Sequence, residues 1–276
     1  MKHKNLRKIF FYIGVVIVLV YFLFPFYWAV VSSIRPPAEL FSSHPSLIPF
    51  HFDFESYVQV FTERPFALNI LNSTIVAGSA TLLCLVIGSV AAYAIARLKF
   101  AGKVGVMILV LMVSMFPQVS ILGALFQILR SFKLINTYPG LIIPYIALTL
   151  PLTIWTLQNF FRDMPHELEE AAYIDGSGKF GTFWRIILPL AVPGLVATGL
   201  LTFIFSWNEF LFALTFEQIP SMYTVPVAIS MFTGYYVVPW GQIMAASVIV
   251  TAPLVILVLI FQNRIIAGMT AGAVKG

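Results

Sequence analysis

The chain has 276 residues, of which 60% are hydrophobic and 10% are charged, and it carries a formal net charge of +5. A soluble globular protein carries about 25% charged residues. These charges are too few to cover a water-facing surface, so lipid is the expected solvent for much of the chain. The single cysteine, Cys84, excludes an intrachain disulfide and argues against a cysteine metal site. The basic residues lie at the ends of apolar segments, which favours a membrane protein over a nucleic-acid-binding protein.

Six segments are long and apolar enough to cross a membrane as helices, which requires about 20 residues each. In chain order they are 9–31, 69–96, 104–128, 139–161, 189–211 and 241–262. Membrane β-strands would instead alternate in polarity over about 10 residues, so we expect an all-α integral membrane protein. The first segment follows a basic tract, as a signal peptide core would. It is longer than such a core and lacks a clear cleavage site, which predicts a retained anchor.

The orientation follows from the lysines and arginines, which are enriched in cytoplasmic loops. With the N-terminus inside, the inside segments hold 12 of these 16 residues and the outside segments hold 4. The sequence therefore predicts a multi-pass plasma- or inner-membrane protein with both termini cytoplasmic and long external loops at 32–68 and 212–240. It also predicts three parts: the first helix and external loop at 1–68, a five-helix core at 69–264, and a cytoplasmic tail at 265–276.

Charged side chains are rare inside the predicted spans. Ion-coupled transporters usually place such residues there, whereas only Glu209, beside Asn208, lies within a span here. Glu209 is either a solvated acid at the outer interface or, together with Asn208, a polar group at the outer mouth of a pathway. Four prolines at 117, 144, 151 and 253 also lie within spans. They can kink helices that rearrange, but such kinks are also common in static bundles.

Residues 162–188 form the longest predicted cytoplasmic loop, and their pattern indicates two short helices. Pro165 can open the first helix, three glutamates follow near its positive end, and the apolar spacing places Leu168, Ala171 and Ala172 on one face. Gly176 and Gly178 predict a sharp turn. The second helix is predicted from Phe180, Phe183, Trp184, Ile187 and Leu188. A helix-turn-helix of this kind suits a groove in a partner protein or a layer of lipid headgroups, and the glutamates favour the protein.

One pattern in this loop is specific. Glu170-Ala171-Ala172 is followed, after three residues, by Gly176 and, after nine more, by Ile186-x-Leu188-Pro189. This resembles the EAA loop of ABC importer permeases at every defining position. Further stretches at 91–97, 138–141, 207–209 and 267–276 resemble the maltose/trehalose-type branch of that family. Within that branch the chain is similar to the shorter, six-span permease subunit.

The resemblance implies a type I ABC importer permease fold: six transmembrane helices with a cytoplasmic coupling loop. It implies that the chain is not an enzyme, forms half of the pathway for a sugar such as trehalose or maltose, and binds no cofactor, while partner subunits use ATP and Mg. The implied partners are a second, different permease, two copies of an ATPase, an external sugar-binding protein and the lipid bilayer. The residues implied to couple to the ATPase are Glu170, Ala171, Ala172, Asp175, Gly176, Ile186, Leu188 and Pro189.

Two further assignments come with the same resemblance: the C-terminal tail would reach the ATPase interface, and the external loop 212–240 would probe the docked binding protein. The alternative function is a self-sufficient secondary transporter or channel for a small solute. It would predict charges within the spans and uptake without an ATPase. A membrane-bound enzyme would need a catalytic constellation, and the sequence offers none.

Overall fold

The computed structural model describes residues 2–42, 46–232 and 238–270, with side chains described between 7 and 262. Within these residues all regular structure is helical. The helices are α1 Lys2–Ser33, α2 Pro37–Leu40, α3 Glu55–Thr62, α4 Phe66–Arg97, α5 Lys103–Ser114, α6 Gln118–Ser131, α7 Tyr138–Asp163, α8 Glu167–Ile174, α9 Lys179–Thr182, α10 Leu188–Leu190, α11 Val192–Asn208, α12 Leu211–Phe216, α13 Val225–Ser230 and α14 Trp240–Thr270, with a π-helix at Phe183–Ile187 and a 3₁₀ helix at Pro220–Met222.

The six predicted spans correspond to four unbroken helices and two bent pairs. Helices α1, α4, α7 and α14 each contain a stretch long and apolar enough to cross a membrane. The predicted span 104–128 is divided between α5 and α6, which meet at 91°. The predicted span 189–211 is divided as well, because Lys179–Leu190 meets α11 at 75°. The six predicted spans are therefore present when each bent pair is taken as one span, and the all-α membrane fold is confirmed.

Proline explains the position of both breaks. Pro117 has an extended backbone (φ −63°, ψ 123°) and precedes α6, and a proline disfavours helical geometry in the residue before it. A proline also lies in the first two positions of α11, where its missing N–H costs no hydrogen bond. Proline is tolerated within α7 and α14, at Pro144, Pro151 and Pro253. Sequence spacing alone could not distinguish a kink from a break.

The chain divides into two units, which are Met1–Phe66 with Ile229–Ala252, and Ala67–Ala228 with Pro253–Gly276. This division differs from the predicted boundaries by grouping 229–252 with the N-terminal segment. Residues 271–276 of the predicted tail and residues 233–237 of the predicted external loop 212–240 lie outside the described residues.

In the first unit the start of α14 packs closely on α3. A Cβ atom at Gly241 would come within 2.5 Å of the Ser56 hydroxyl. The Gln242 amide donates to Gln59 (3.1 Å) and to Glu63 (3.0 Å), and its oxygen accepts from Arg64 Nε at 3.2 Å. The apolar window of α1, in contrast, has none of its residues buried within the chain.

The second unit has two apolar cores. One core joins α4, α6, α7, α12 and α13, and its buried members are Val76, Ala80, Leu129, Leu141, Tyr145, Phe212, Ala213, Phe216 and Val227. The other core joins the C-terminal halves of α4 and α7 to the segment after α8, and its buried members are Ala92, Tyr93, Ile95, Ile154, Leu157, Phe161, Phe183, Ile187 and Ala191. The second core therefore fixes the predicted EAA loop to two spans.

Candidate coupling site

Helix α8 carries the first half of the predicted motif, with three glutamates in its first turn, where the helix dipole stabilises negative charge. Ala172 is buried and Leu168 is half-buried, whereas Glu170 and Ala171 are exposed. The predicted face of Leu168, Ala171 and Ala172 is therefore divided, because Ala172 points inward and Ala171 points outward. Successive helical residues are about 100° apart, so burying Ala172 turns Ala171 outward.

The turn after α8 requires its glycine. Gly176 has a φ of +83°, its N–H donates to Tyr173 O at 3.1 Å, and Ser177 N–H donates to Ala172 O at 2.9 Å. This is the Schellman arrangement, in which a left-handed residue follows the helix cap, here Asp175. A Cβ atom at 176 would meet nothing within 4 Å, so the requirement is one of backbone conformation. The predicted sharp turn is confirmed.

The second half of the motif has a π-helical turn that the sequence spacing did not predict. Thr182, Phe183 and Ile187 face inward, whereas Phe180 and Trp184 are exposed and lie with ring centroids 6.0 Å apart. The predicted single apolar face is therefore divided into an inner and an outer stripe. Ile186 and Leu188 are half-buried and Pro189 is exposed.

Three aromatic rings attach this second half to the spans. Phe183 of the π-helix lies 4.8 Å from Tyr93 of α4 and 6.3 Å from Phe161 of α7, measured between ring centroids. Tyr93 and Phe161 are themselves in edge contact at 6.0 Å. Aromatic pairs of this geometry stabilise a fold by about 0.5–1.5 kcal/mol beyond their buried area. The second half of the loop is therefore packed against the ends of α4 and α7.

A buried ion pair attaches the first half. The Arg97 guanidinium, at the C-terminal end of α4, lies 3.6 Å from the Glu169 carboxylate, and the two side chains are 1% and 9% exposed. Arg97 Nη2 also donates to the carbonyl of Met164, which follows α7. Sequence analysis missed this pair, because Glu169 lies beside the motif residue Glu170. The sequence signal for such an ion pair was Arg97 at the end of one predicted span and Glu169 near the start of the predicted loop.

The outward side of the loop is exposed, and its residues Glu170, Ala171, Tyr173, Ile174, Asp175 and Phe180 are here called the docking face. Ile174 is 86% exposed and Phe180 is 75% exposed. An apolar patch rimmed by acidic residues is typical of a surface that binds another protein. The side chains that hold the loop in place thus point inward, and those available to a partner point outward.

Asn208 and Glu209 lie apart from this loop, at the end of α11. Glu209 is buried, and its carboxylate accepts hydrogen bonds from the backbone N–H groups of Phe212 (2.9 Å) and Ala213 (3.2 Å). The interpretation of Glu209 as a solvated acid is therefore wrong, because these bonds satisfy the first turn of α12. Asn208 is exposed and donates to Ile204 O of its own helix at 2.7 Å.

A second set of contacts, also missed from the sequence, holds residues 217–225, here called the clamped segment. Asn69 and Asn72, on the first turns of α4, are both buried, and each side-chain amide donates two hydrogen bonds of 2.9–3.1 Å to backbone carbonyls of this segment. The accepting residues are Pro220, Ser221 and Tyr223. Four directional bonds to three backbone positions leave this segment little freedom relative to α4.

Further hydrogen bonds complete the clamp. Ser73 Oγ accepts from the N–H of Val225 at 2.8 Å, and Asn72 Oδ1 accepts from the Tyr138 hydroxyl at 2.8 Å. Asn136 Oδ1 accepts from the N–H groups of Gln218 and Ile219. Isolated asparagines near span ends give no periodic pattern, so sequence spacing could not have identified this role.

Glu217 begins the clamped segment and is 1% exposed. Neither carboxylate oxygen has a hydrogen-bond partner within the described part of the chain. Burial raises the pKa of Glu217 to about 8, because desolvation disfavours the charged carboxylate. The side chain is therefore neutral over most of the physiological pH range. Within residues 2–42, 46–232 and 238–270, no group of three or more His, Cys, Asp or Glu could hold a metal ion.

Comparison with known protein families gives one matching model, described as "Binding-protein-dependent transport system inner membrane component", over residues 84–271. That range includes the docking face, Arg97 and the clamped segment. The match covers well over half of the chain.

Similar curated proteins match over nearly the whole chain. The chain is 43% identical to the trehalose/maltose transport system permease protein MalG of Thermococcus litoralis, over 100% of both chains. It is 42% identical to the trehalose transport system permease protein SugB of Mycobacterium tuberculosis, over 94% of this chain and 95% of that protein. It is 39% identical to the sulfoquinovosyl glycerol transport system permease protein SmoH of Agrobacterium fabrum, over 96% of this chain and 93% of that protein.

A solved structure has the same fold. It is a chain of a bacterial ABC transporter involved in the import of the acidic polysaccharide alginate, with a TM-score of 0.82 and 20% identity. The similarity covers 95% of this chain and 98% of that one. At this level of identity the comparison concerns the fold alone.

Proposed function

Because the chain belongs to the family of inner membrane components of binding-protein-dependent transport systems, we propose that it is a permease subunit of an ATP-driven sugar importer. The observation that carries the proposal is the docking face, which is exposed, apolar at its centre and supported by the Gly176 turn. In this proposal an ATPase subunit binds that face, and ATP-driven closure of two ATPase subunits moves the attached spans.

The attachment of the loop supports coupling. A helix that docks on a partner moves a span only if it cannot slide independently of it. Here the Tyr93–Phe161–Phe183 rings join the loop to α4 and α7, and the Arg97–Glu169 pair joins it to α4. Force on the docking face would therefore reach two spans at once.

The two broken spans support a transport pathway. Helices interrupted within a span are typical of transporter pathways, where free backbone groups can face a cavity. At the break between α5 and α6, Met115 is 82% exposed and Phe116 is 62% exposed. We assign this chain half of the pathway, with the other half supplied by a second, different permease. Asn208 remains a candidate residue at the outer mouth.

The substrate class follows from the relatives. Their names refer to trehalose, maltose and sulfoquinovosyl glycerol, and each of these compounds contains a sugar in a glycosidic linkage. The proposed substrate is therefore a disaccharide or oligosaccharide such as trehalose or maltose, delivered by an external binding protein. The chain itself binds no cofactor in this proposal, and the ATPase subunits use ATP and Mg.

The orientation places the docking face in the cytoplasm and the clamped segment outside. It rests on the 12-to-4 distribution of lysine and arginine. Labelling of single cysteines in intact cells tests it, in a Cys84→Ala background. A cysteine at Asp175 should react only after permeabilisation, whereas one at the exposed Gln218 should react in intact cells. Reaction of position 175 from outside would contradict the orientation.

Copurification tests the proposed function itself. A tagged chain, extracted in mild detergent from its native host, should retain an ATPase and a second permease of different sequence. Recovery of the chain alone, or as a homo-oligomer that transports sugar without an ATPase, would contradict the proposal and favour a secondary transporter or channel.

A further inference from the structure

Helix α4 differs from every other span in the described part of the chain. It runs without a break for 32 residues, from Phe66 to Arg97, and contains no proline. The other unbroken spans contain prolines at 25, 144, 151 and 253, and the remaining two spans are bent pairs. At about 1.5 Å per residue, α4 is an unbroken helix of about 48 Å, longer than the hydrocarbon core of a bilayer.

The C-terminal end of α4 is fixed to the coupling loop by charge. Arg97 is almost fully buried between Glu169 and the carbonyl of Met164. Separating a buried pair leaves an uncompensated charge in a dry environment, which is strongly unfavourable. Nε and Nη1 of Arg97 have no hydrogen-bond acceptor in the described part of the chain, so the guanidinium retains donors with which to tighten the contact.

The N-terminal end of α4 is fixed to the clamped segment by hydrogen bonds. Four bonds run from Asn69 and Asn72 to backbone carbonyls, and Ser73 accepts a fifth from a backbone N–H. These contacts are buried or part-buried, so water competes with them less than with exposed hydrogen bonds. A displacement of the clamped segment must therefore displace this end of α4.

We propose that α4 is a rigid link between the two faces of the membrane. Docking of the liganded binding protein on the clamped segment moves α4 as a body, and the Arg97–Glu169 pair passes that movement to α8 and its docking face. Coupling between distant sites is carried by such rigid elements and polar contacts. Asn69, Asn72, Arg97 and Glu169 act as positioning residues. The inference rests on the proposed function and adds the route by which an external ligand regulates the ATPase.

The test uses the complete purified complex in proteoliposomes and measures ATP hydrolysis with and without the liganded binding protein. Glu169→Gln breaks the link at one end and Asn72→Ala weakens it at the other. Each should lower the stimulation ratio about fivefold or more, the range typical of allosteric coupling. The matched controls are Glu167→Gln, on an exposed neighbour in the same helical turn, and Thr74→Val, on an exposed hydroxyl of α4 that bonds its own helix. Both controls should keep the wild-type ratio.

A double variant distinguishes transmission of movement through the Arg97–Glu169 pair from a purely structural role of that pair. Arg97→Gln combined with Glu169→Gln removes both buried charges, so it should restore the yield of assembled complex lost in the single variants. The stimulation ratio should remain low, because the link is still broken. Recovery of the wild-type ratio together with the yield would overturn the proposal.

A third comparison tests whether the two ends act in series. Once one end is broken, breaking the other should change the stimulation ratio little, so Asn72→Ala with Glu169→Gln should resemble the worse single variant. Multiplicative effects would show two independent contributions and contradict a single link. Absence of stimulation in the wild-type complex would instead contradict the proposed function, which keeps the two failures distinguishable.

Discussion

The coupling loop and the clamped segment are held to the second unit by different chemistry. Aromatic packing and one ion pair hold the coupling loop, with its docking face left exposed. Hydrogen bonds from asparagine side chains to backbone groups hold the clamped segment. Apolar packing defines a position but tolerates small rotations, whereas several directional bonds define both position and orientation. Attachment by packing suits a surface that binds a moving ATPase. Attachment by directional hydrogen bonds suits a surface whose displacement on docking must be passed to α4.

The largest expected effect is at the turn of the coupling loop. Gly176→Val forces a β-branched residue into a left-handed backbone (φ +83°), which costs about 1–3 kcal/mol. If the turn relaxes instead, the docking face is misplaced, and docking must restore the strained turn. The same free-energy cost then weakens docking by roughly 5- to 150-fold. Transport should fall severely while the amount of protein in the membrane stays near wild type, because insertion depends on the hydrophobicity of the spans.

Gly178 provides the matched control for that variant. Its backbone is extended (φ −75°, ψ 167°), and a Cβ atom there would meet nothing within 4 Å. Gly178→Val should therefore retain most of the transport activity. Normal transport by Gly176→Val at normal abundance would show that the turn does not govern docking.

An intermediate effect is expected in the clamped segment. Asn72→Ala removes two donors and leaves the carbonyl of Ser221 and the hydroxyl of Tyr138 without their partner. Unsatisfied buried groups of this kind cost about 1–3 kcal/mol. The thermal unfolding temperature in detergent should fall, and the Thr74→Val control should change it little. An unchanged temperature for Asn72→Ala would mean that the segment is held by packing, as the coupling loop is.

A separate expected effect concerns the pH dependence of stability. The pKa of Glu217 is raised by burial to about 8, above the value near 4.3 expected in the unfolded chain. The native state then binds the extra proton, so stability falls as pH rises between these two values. Glu217→Gln should flatten this dependence, with an unfolding temperature similar to wild type near pH 5 and higher than wild type near pH 8. Parallel pH profiles for the two proteins would contradict the burial of a neutral acid.

Sequence analysis predicted the coupling loop better than the clamped segment, for a physical reason. The helix-turn-helix follows from local signals, since glutamates, glycines and apolar spacing each act within a few residues. The π-helix and the outward position of Ala171 depend on which face meets the core, and spacing alone does not define that face. The clamp joins residues about 150 positions apart through single side chains, so no local pattern could predict it.

Prediction of the membrane spans from the sequence was limited in the same way. Their number and approximate bounds follow from hydrophobicity, and the all-α membrane fold is confirmed. The breaks at Pro117 and near Pro193 were not predicted, because Pro144 and Pro253 have similar surroundings in the sequence and remain within continuous helices. Whether a proline bends or breaks a helix depends on neighbouring elements that satisfy the freed backbone groups. The burial of Glu209 was not predicted for a related reason, since the backbone N–H groups that bond its carboxylate lie in the next helix, α12.

The central claim is that this chain transports a sugar only as part of an ATP-driven complex. The most direct measurement is uptake of labelled trehalose by proteoliposomes that contain the chain, its second permease and the ATPase, with the binding protein outside and ATP inside. Uptake should require ATP, the binding protein and both permeases, and should persist when ionophores collapse ion gradients. Uptake by this chain alone, or uptake that continues without ATP and stops with an ionophore, would contradict the account.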